Sequence, residues 1–145
     1  MPYNHQKPSR RSIRLKNYDY TQPGWYFITL IVKNRKCLLS RVSDAKIILT
    51  SEGKIVLKEW EKTAILRASV GIDAFIIMRN HFHGIIHIIE ESACNVTARR
   101  NVTNATTEQY GNPVKGSIPT IVRSFKAAVT KGINDLNNTP GKKFW

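Results

Sequence analysis

The side chains of this sequence best placed to do chemistry are two imidazoles, in His81-Phe82-His83. Successive side chains of a β-strand alternate between faces, so His81 and His83 share one face and Phe82 enters the other. Two imidazoles so placed can grip one divalent ion. A third carboxylate or amide oxygen, with open water positions, would suit Mn2+ or Mg2+ acting on a phosphodiester. Glu59, Glu61, Asp73, Asp44 and Glu52 are the carboxylates available for that position, and periodicity selects none of them. His87 shares the face but lies about 13 Å from His83 by strand rise, too far to join the same ion. It reads as a sheet-face histidine. A His-x-His pair alone recurs by chance in many proteins, so its meaning depends on what surrounds it.

The elements that must hold the pair are legible as hydrophobic periodicity. Residues 25–32, Trp-Tyr-Phe-Ile-Thr-Leu-Ile-Val, follow Pro23-Gly24 and are apolar on both faces, which predicts a central strand. Lys33-Asn34-Arg35-Lys36 ends it with three charges. Residues 46–49 read as a short strand or an irregular segment. Residues 51–69 read as a helix capped by Thr50 or Ser51, with Glu52 in its first turn. Val56, Trp60, Thr63 or Ala64, and Arg67 follow helical spacing, Ile55 and Leu66 widen the face, and Gly71 is the stop. Residues 72–78 and 81–90 are two further strands. Only Arg79-Asn80 separates them, which predicts an antiparallel hairpin whose turn lacks a glycine. Residues 91–116, rich in Asn and Thr, read as a flexible linker or loop. Ser117 then opens a helix through Asn137 with Ile118, Ile121, Val122, Phe125, Ala128, Val129, Ile133 and Leu136 on its apolar stripe, basic Arg123, Lys126 and Lys131 around it, and Gly132 weakening its middle.

The chain has 145 residues, which predicts one domain, and its 41% apolar content excludes a wholly disordered chain. Lys and Arg number 23 against 10 Asp and Glu, a formal net charge of +13. That excess points to a polyanion, nucleic acid before membrane. Residues 1–20 form a basic arm that includes Arg10, Arg11 and Arg14. Two cysteines, Cys37 and Cys94, make neither a disulfide scaffold nor a zinc finger. The N-terminus has no apolar run behind its charges, and no run approaches the roughly 20 residues of a membrane helix. The expected compartment is the reducing cytoplasm.

Asp73-Ala74-Phe75-Ile76-Ile77-Met78-Arg79-Asn80-His81-Phe82-His83-Gly84-Ile85-Ile86 resembles the core motif of the IS200-like tyrosine transposases, particularly their REP-associated branch. The segments Ser12–Tyr20, Gly24–Thr29 and Gly116–Lys126 resemble the same branch, so the likeness covers nearly the whole chain except the Asn/Thr stretch. The resemblance implies an α/β fold of the ferredoxin-like sandwich type, an antiparallel sheet with helices packed on one face. It implies that His81 and His83 hold a divalent cation, Mg2+ or Mn2+, which polarises a DNA phosphate. It also implies that a tyrosine on a later helix attacks that phosphate, forming a 5′-phosphotyrosine link to single-stranded or hairpin DNA. The chain would act as a monomer or homodimer.

Two departures qualify the expectation. Arg79 stands where the family usually has proline, and is itself a candidate phosphate contact. No segment matches the helix that carries the tyrosine, so the chain reads as a fragment or a truncated, inactive product. Tyr110 is a poor substitute because catalysis needs placement to about half an ångström on a rigid support. The nucleic-acid contacts expected are therefore Arg10, Arg11, Arg14, Arg79, Arg123 and Lys126. A binding module with relic histidines is the alternative, and a replication-initiation type of nuclease is a third reading. An RNA-binding translation protein would match the charge but not the histidine motif.

Overall fold

A computed structural model describes Leu15, residues 18–89 and residues 114–145. The arm residues Arg10, Arg11 and Arg14, most of the 91–116 segment and Tyr110 lie outside the described residues. In chain order the elements are β1 (Gly24–Ile31), β2 (Ser40–Ser43), β3 (Lys46–Leu49), α1 (Ser51–Ile65), β4 (Val70–Ile77), β5 (His81–Ile88) and α2 (Ile118–Asn137). They make a mixed α/β fold with two antiparallel sheets, one of order β1-β5-β4 and one a β2-β3 hairpin.

All three strongly apolar strands share one antiparallel sheet, as expected, but their order corrects one expectation. Among the described residues β5 is central and β1 lies at the edge. The apolar pattern on both faces of β1 has a different cause. Its second face, carrying Trp25, Phe27 and Ile31, is exposed, with no helix over it among the described residues.

β5 alternates strictly, with Phe82, Gly84, Ile86 and Ile88 buried and His81, His83, Ile85 and His87 only half-buried. The buried side meets both helices. Trp60 of α1 and Phe125 of α2 each pack on Phe82, with ring centroids 4.7 and 5.7 Å away. Val56, Trp60, Ile86, Ile121 and Val129 complete the driest part of the core, each at most 1% exposed. Gly84 is where the helix layer comes closest to the sheet. A Cβ there would stand 2.6 Å from Trp60 Cζ2 and 2.8 Å from Phe82 Cζ.

Helix ends follow capping chemistry. Thr50 Oγ1 accepts from Gly53 N at 3.0 Å and caps α1, and Ser117 caps α2 with Pro119 in its first turn. α1 ends at Ile65, earlier than its apolar pattern predicts. Leu66, read as part of the apolar face, is 73% exposed, and Gly71 belongs to β4 instead of stopping the helix. The glycine-free turn at Arg79-Asn80 is held from outside. Leu39 N donates to Arg79 O at 3.0 Å and Val32 N to Asn80 O at 2.9 Å.

Gly84→Ala should therefore destabilise the fold by about 1–3 kcal/mol, because two fully buried rings would have to move. Gly71→Ala, whose Cβ meets nothing closer than 3.8 Å, should lose much less. Urea unfolding midpoints of the two variants check this contrast.

Candidate functional site

The open face of the sheet carries the histidines. Their ring centroids are 4.7 Å apart, with the planes at 78°. Each ring is held at Nδ1 by a neighbour. His81 Nδ1 lies 2.7 Å from Asn80 Oδ1, and His83 Nδ1 lies 2.8 Å from Thr29 Oγ1, its cross-strand partner on β1.

The Asn80 amide is itself oriented. Its Nδ2 donates to Arg35 O at 3.3 Å, which leaves Oδ1 to face the ring. An amide oxygen only accepts, so His81 Nδ1 carries a proton, and in the neutral ring Nε2 is the nitrogen that keeps its lone pair. The Thr29 hydroxyl can give or take a proton, and by accepting it would leave His83 in the same tautomer. A hydrogen bond at Nδ1 fixes the orientation of each ring and turns its Nε2 edge away from that partner.

Aromatic rings flank the pair on the same face. Phe27 is 68% exposed and stacks on His83 with centroids 5.3 Å apart and planes at 21°. Trp25 is 62% exposed and lies on His87 at 4.2 Å and 6°. Thus His87 is part of an aromatic pair further along the sheet and not part of the His81–His83 pair. Ile31 and Ile76 extend the exposed apolar surface.

The carboxylates considered for a third ligand lie elsewhere. Glu59 pairs with Lys62 at 2.7 Å on α1, which also carries Glu61. Glu52 accepts from Asn137 Nδ2 at 3.4 Å. Asp44 occupies the β2–β3 turn, and Asp73 sits at the irregularity of β4 between Ile72 and Phe75. Among the described residues no three His, Cys, Asp or Glu side chains form a group that could hold a metal.

Tyr18, Tyr20 and Tyr26 cluster with ring centroids 4.8 to 6.4 Å apart. Tyr26 is on the helix-facing side of β1, away from the histidines, and its hydroxyl donates to Gln22 O at 2.8 Å. Burial first, and the neighbouring Tyr18 hydroxyl next, raise its pKa above the ordinary 10.0. A phenol so placed is not poised for attack.

The predicted basic contacts divide by location. Arg79 is exposed in the turn next to His81. Arg123 and Lys126 are on α2, which packs on the opposite face of the sheet, so the structure does not bring them to the histidines. It brings others instead. Lys33 N donates to Phe144 O at 2.8 Å, joining the Lys33–Lys36 loop to Lys142 and Lys143 beside the His81 end of the sheet. Thr29, Asn80, Trp25, Phe27 and this basic rim were not read as site residues from the sequence. The alternating Trp25 and Phe27, and the asparagine directly before His81, were the signals available.

No helix among the described residues is long and apolar enough to cross a membrane. No family model matches the chain, and no solved structure matches it. An uncharacterized protein of Haemophilus influenzae (strain ATCC 51907 / DSM 11121 / KW20 / Rd) is 41% identical over 133 residues, covering 88% of this chain and 70% of the relative.

Two outcomes are expected of the chain alone. His81 should be found as its Nδ1-protonated tautomer by 15N-detected NMR, and Asn80→Ala should shift it toward the Nε2-protonated form. Tyr26 is favoured protonated in the fold, so its contribution to stability is intact below pH 10.0, where an unfolded tyrosine keeps its proton, and is lost as pH rises beyond. Chemical denaturation on either side of that pH should show the loss, and Tyr26→Phe should reduce it.

Proposed function

We propose that this chain, which belongs to the same family as the uncharacterized Haemophilus influenzae protein, is a DNA-binding domain of the IS200-like tyrosine transposase type that receives single-stranded or hairpin DNA on its histidine face. The finer fold proposed with it is the ferredoxin-like sandwich. The observation that carries the reading is one juxtaposition. His81 and His83, both held through Nδ1, stand beside exposed Trp25 and Phe27 on an otherwise open sheet.

Each feature suits a part of a single strand. Unpaired bases offer flat faces, and stacking on an exposed ring contributes about 1–3 kcal/mol per base. Phosphates meet the excess of positive charge, +13 over the chain. The donor set fits two positions of a divalent ion's shell, with Nε2 of His81 and of His83 as the ligands. When bound there, Mn2+ or Mg2+ would polarise a phosphodiester oxygen and stabilise charge developing on it. The residues' own work is orientation: Asn80 and Thr29 hold the rings so that little ordering remains to be done on binding.

A second reading is binding without strand cleavage. Among the described tyrosines, Tyr18 and Tyr20 cluster around Tyr26, whose side of β1 is away from the pair.

Mn2+ should bind to the pair more tightly than Mg2+, because imidazole favours the softer ion. His81→Ala or His83→Ala should abolish that binding, His87→Ala should leave it, and Thr29→Val or Asn80→Ala should weaken it about 10–100-fold. Calorimetric titration checks each. A labelled hairpin oligonucleotide should bind with a log–log salt slope of about 0.7 per neutralised phosphate. It should lose affinity with Trp25→Ala or Phe27→Ala, and give no covalent adduct on a denaturing gel. Salt-independent binding would remove the DNA reading, and an adduct lost on Tyr110→Phe would overturn the claim of binding without cleavage.

A further inference from the structure

Beyond the end of β1, on the side of the sheet that the helices cover, the surface opens into a cleft of about 300 Å3. Its floor is apolar: Val32, Ile133 and Phe144 are 2, 3 and 7% exposed. Its wall carries Asn134, whose amide donates to Lys142 O and accepts from Thr139 Oγ1, and Asn137, whose Oδ1 has no partner among the described residues, both from the last turns of α2. Lys33, Lys36, Lys142 and Lys143 line it as well, against the single acid Glu52, which Asn137 already engages. An apolar floor beside amide groups suits a planar heteroaromatic ring. Four exposed lysines around one small cleft suit a phosphate attached to it.

The loop that forms the rim is held in an uncommon conformation. Asn34 and Arg35 are consecutive left-handed residues, at φ of 58° and 53°, and neither is glycine. Such backbone persists only where its surroundings over-determine it. Here Lys33 N bonds Phe144 O, and Arg35 O accepts from the Asn80 side chain. Asn80 is the same residue that orients His81. Asn80 does not line the cleft, but its one side chain ties the loop that borders it to the ring of His81.

We propose that this cleft binds one nucleotide unit, the base on the Val32–Ile133–Phe144 floor and the phosphate among the lysines. A free mononucleotide and one nucleotide of a strand share that chemistry. As a subsite for a strand lying over the histidines the proposal rests on the function proposed above. As a nucleotide pocket it does not.

The experiment is an NMR titration of the full chain, following the side-chain amides of Asn134 and Asn137. The probes are a deoxynucleoside monophosphate, inorganic phosphate and a single-stranded oligonucleotide. The mononucleotide should shift both amides and bind about tenfold more tightly than phosphate, the difference being the buried base. Asn137→Trp, at an exposed helix position, should block the cleft and remove the effect on Asn134. The paired change Lys33→Ala and Lys143→Ala should weaken oligonucleotide binding about fivefold more than Lys54→Ala and Lys58→Ala, which remove equal charge from the exposed side of α1. Equal binding of phosphate and mononucleotide would overturn the proposal. So would oligonucleotide binding that Asn137→Trp leaves unchanged without any amide shift, and that result would leave the histidine-face reading standing. Amide shifts with the mononucleotide but no binding of the oligonucleotide would support the pocket while refuting the strand reading.

Discussion

The histidine face depends on how closely the Trp60 indole lies against the backbone of Gly84. No side chain fits between them, and the ring is fully buried with Phe82 and Phe125 around it. Burying an indole contributes about 4–6 kcal/mol by area. The Trp60 Nε1 proton is buried without a partner among the described residues, which costs about 1–3 kcal/mol. Packing therefore outweighs the lost hydrogen bond, and the contact sets the phase of β5. With residues 82, 84 and 86 committed to the helices, 81, 83, 85 and 87 must face the other way. A slip of one residue would bury both imidazoles and expose Phe82. The glycine after the second histidine thus has a structural reason that is independent of any chemistry at the pair.

Charge is distributed less simply than composition suggests. An excess of basic residues says that a polyanion would be attracted, but not where it would lie. The α2 cations are on the far layer of the molecule from the histidines. The cations near His81 come from two segments more than a hundred residues apart in the chain, brought together by the Lys33–Phe144 backbone bond. Only the fold makes one rim of them.

Much of the architecture could be read directly because it is periodic. The three long strands, both long helices and the β4–β5 hairpin lie within a few residues of where apolar spacing puts them, and the common face of His81 and His83 follows from strand alternation. What escaped was non-periodic. β2 was not anticipated, since Ser40-Arg41-Val42-Ser43 has little apolar pattern and its turn to β3 uses Asp44-Ala45 at positive φ in place of a glycine-containing pair. Gly132 looked like a weak point of α2, yet a Cβ there would come within 3.0 Å of Ile55, so it marks where α1 and α2 approach. The roles of Asn80 and Thr29 were not legible for a related reason, although Asn80 stands directly before His81. Their roles are single hydrogen bonds across a turn and across strands, which no one-dimensional spacing encodes.

The edge position of β1 shows how the same residues can be misread and still be informative. A strand apolar on both faces is ordinarily one buried on both faces. Here one set, Tyr26, Ile28 and Leu30, packs toward the helices, while Trp25, Phe27 and Ile31 remain exposed beside the histidines. Leaving two large rings in water forgoes the burial they would have in a core, and a purely structural edge strand could carry polar residues there instead. Their stacking on His83 and His87 makes the surface continuous with the imidazoles, and the polar partners Thr29 and Asn80 orient the rings from within the same strand and the adjoining turn. An apolar surface interrupted by oriented imidazoles is suited to a ligand that is both flat and charged, and net charge alone would not place such a ligand on this face.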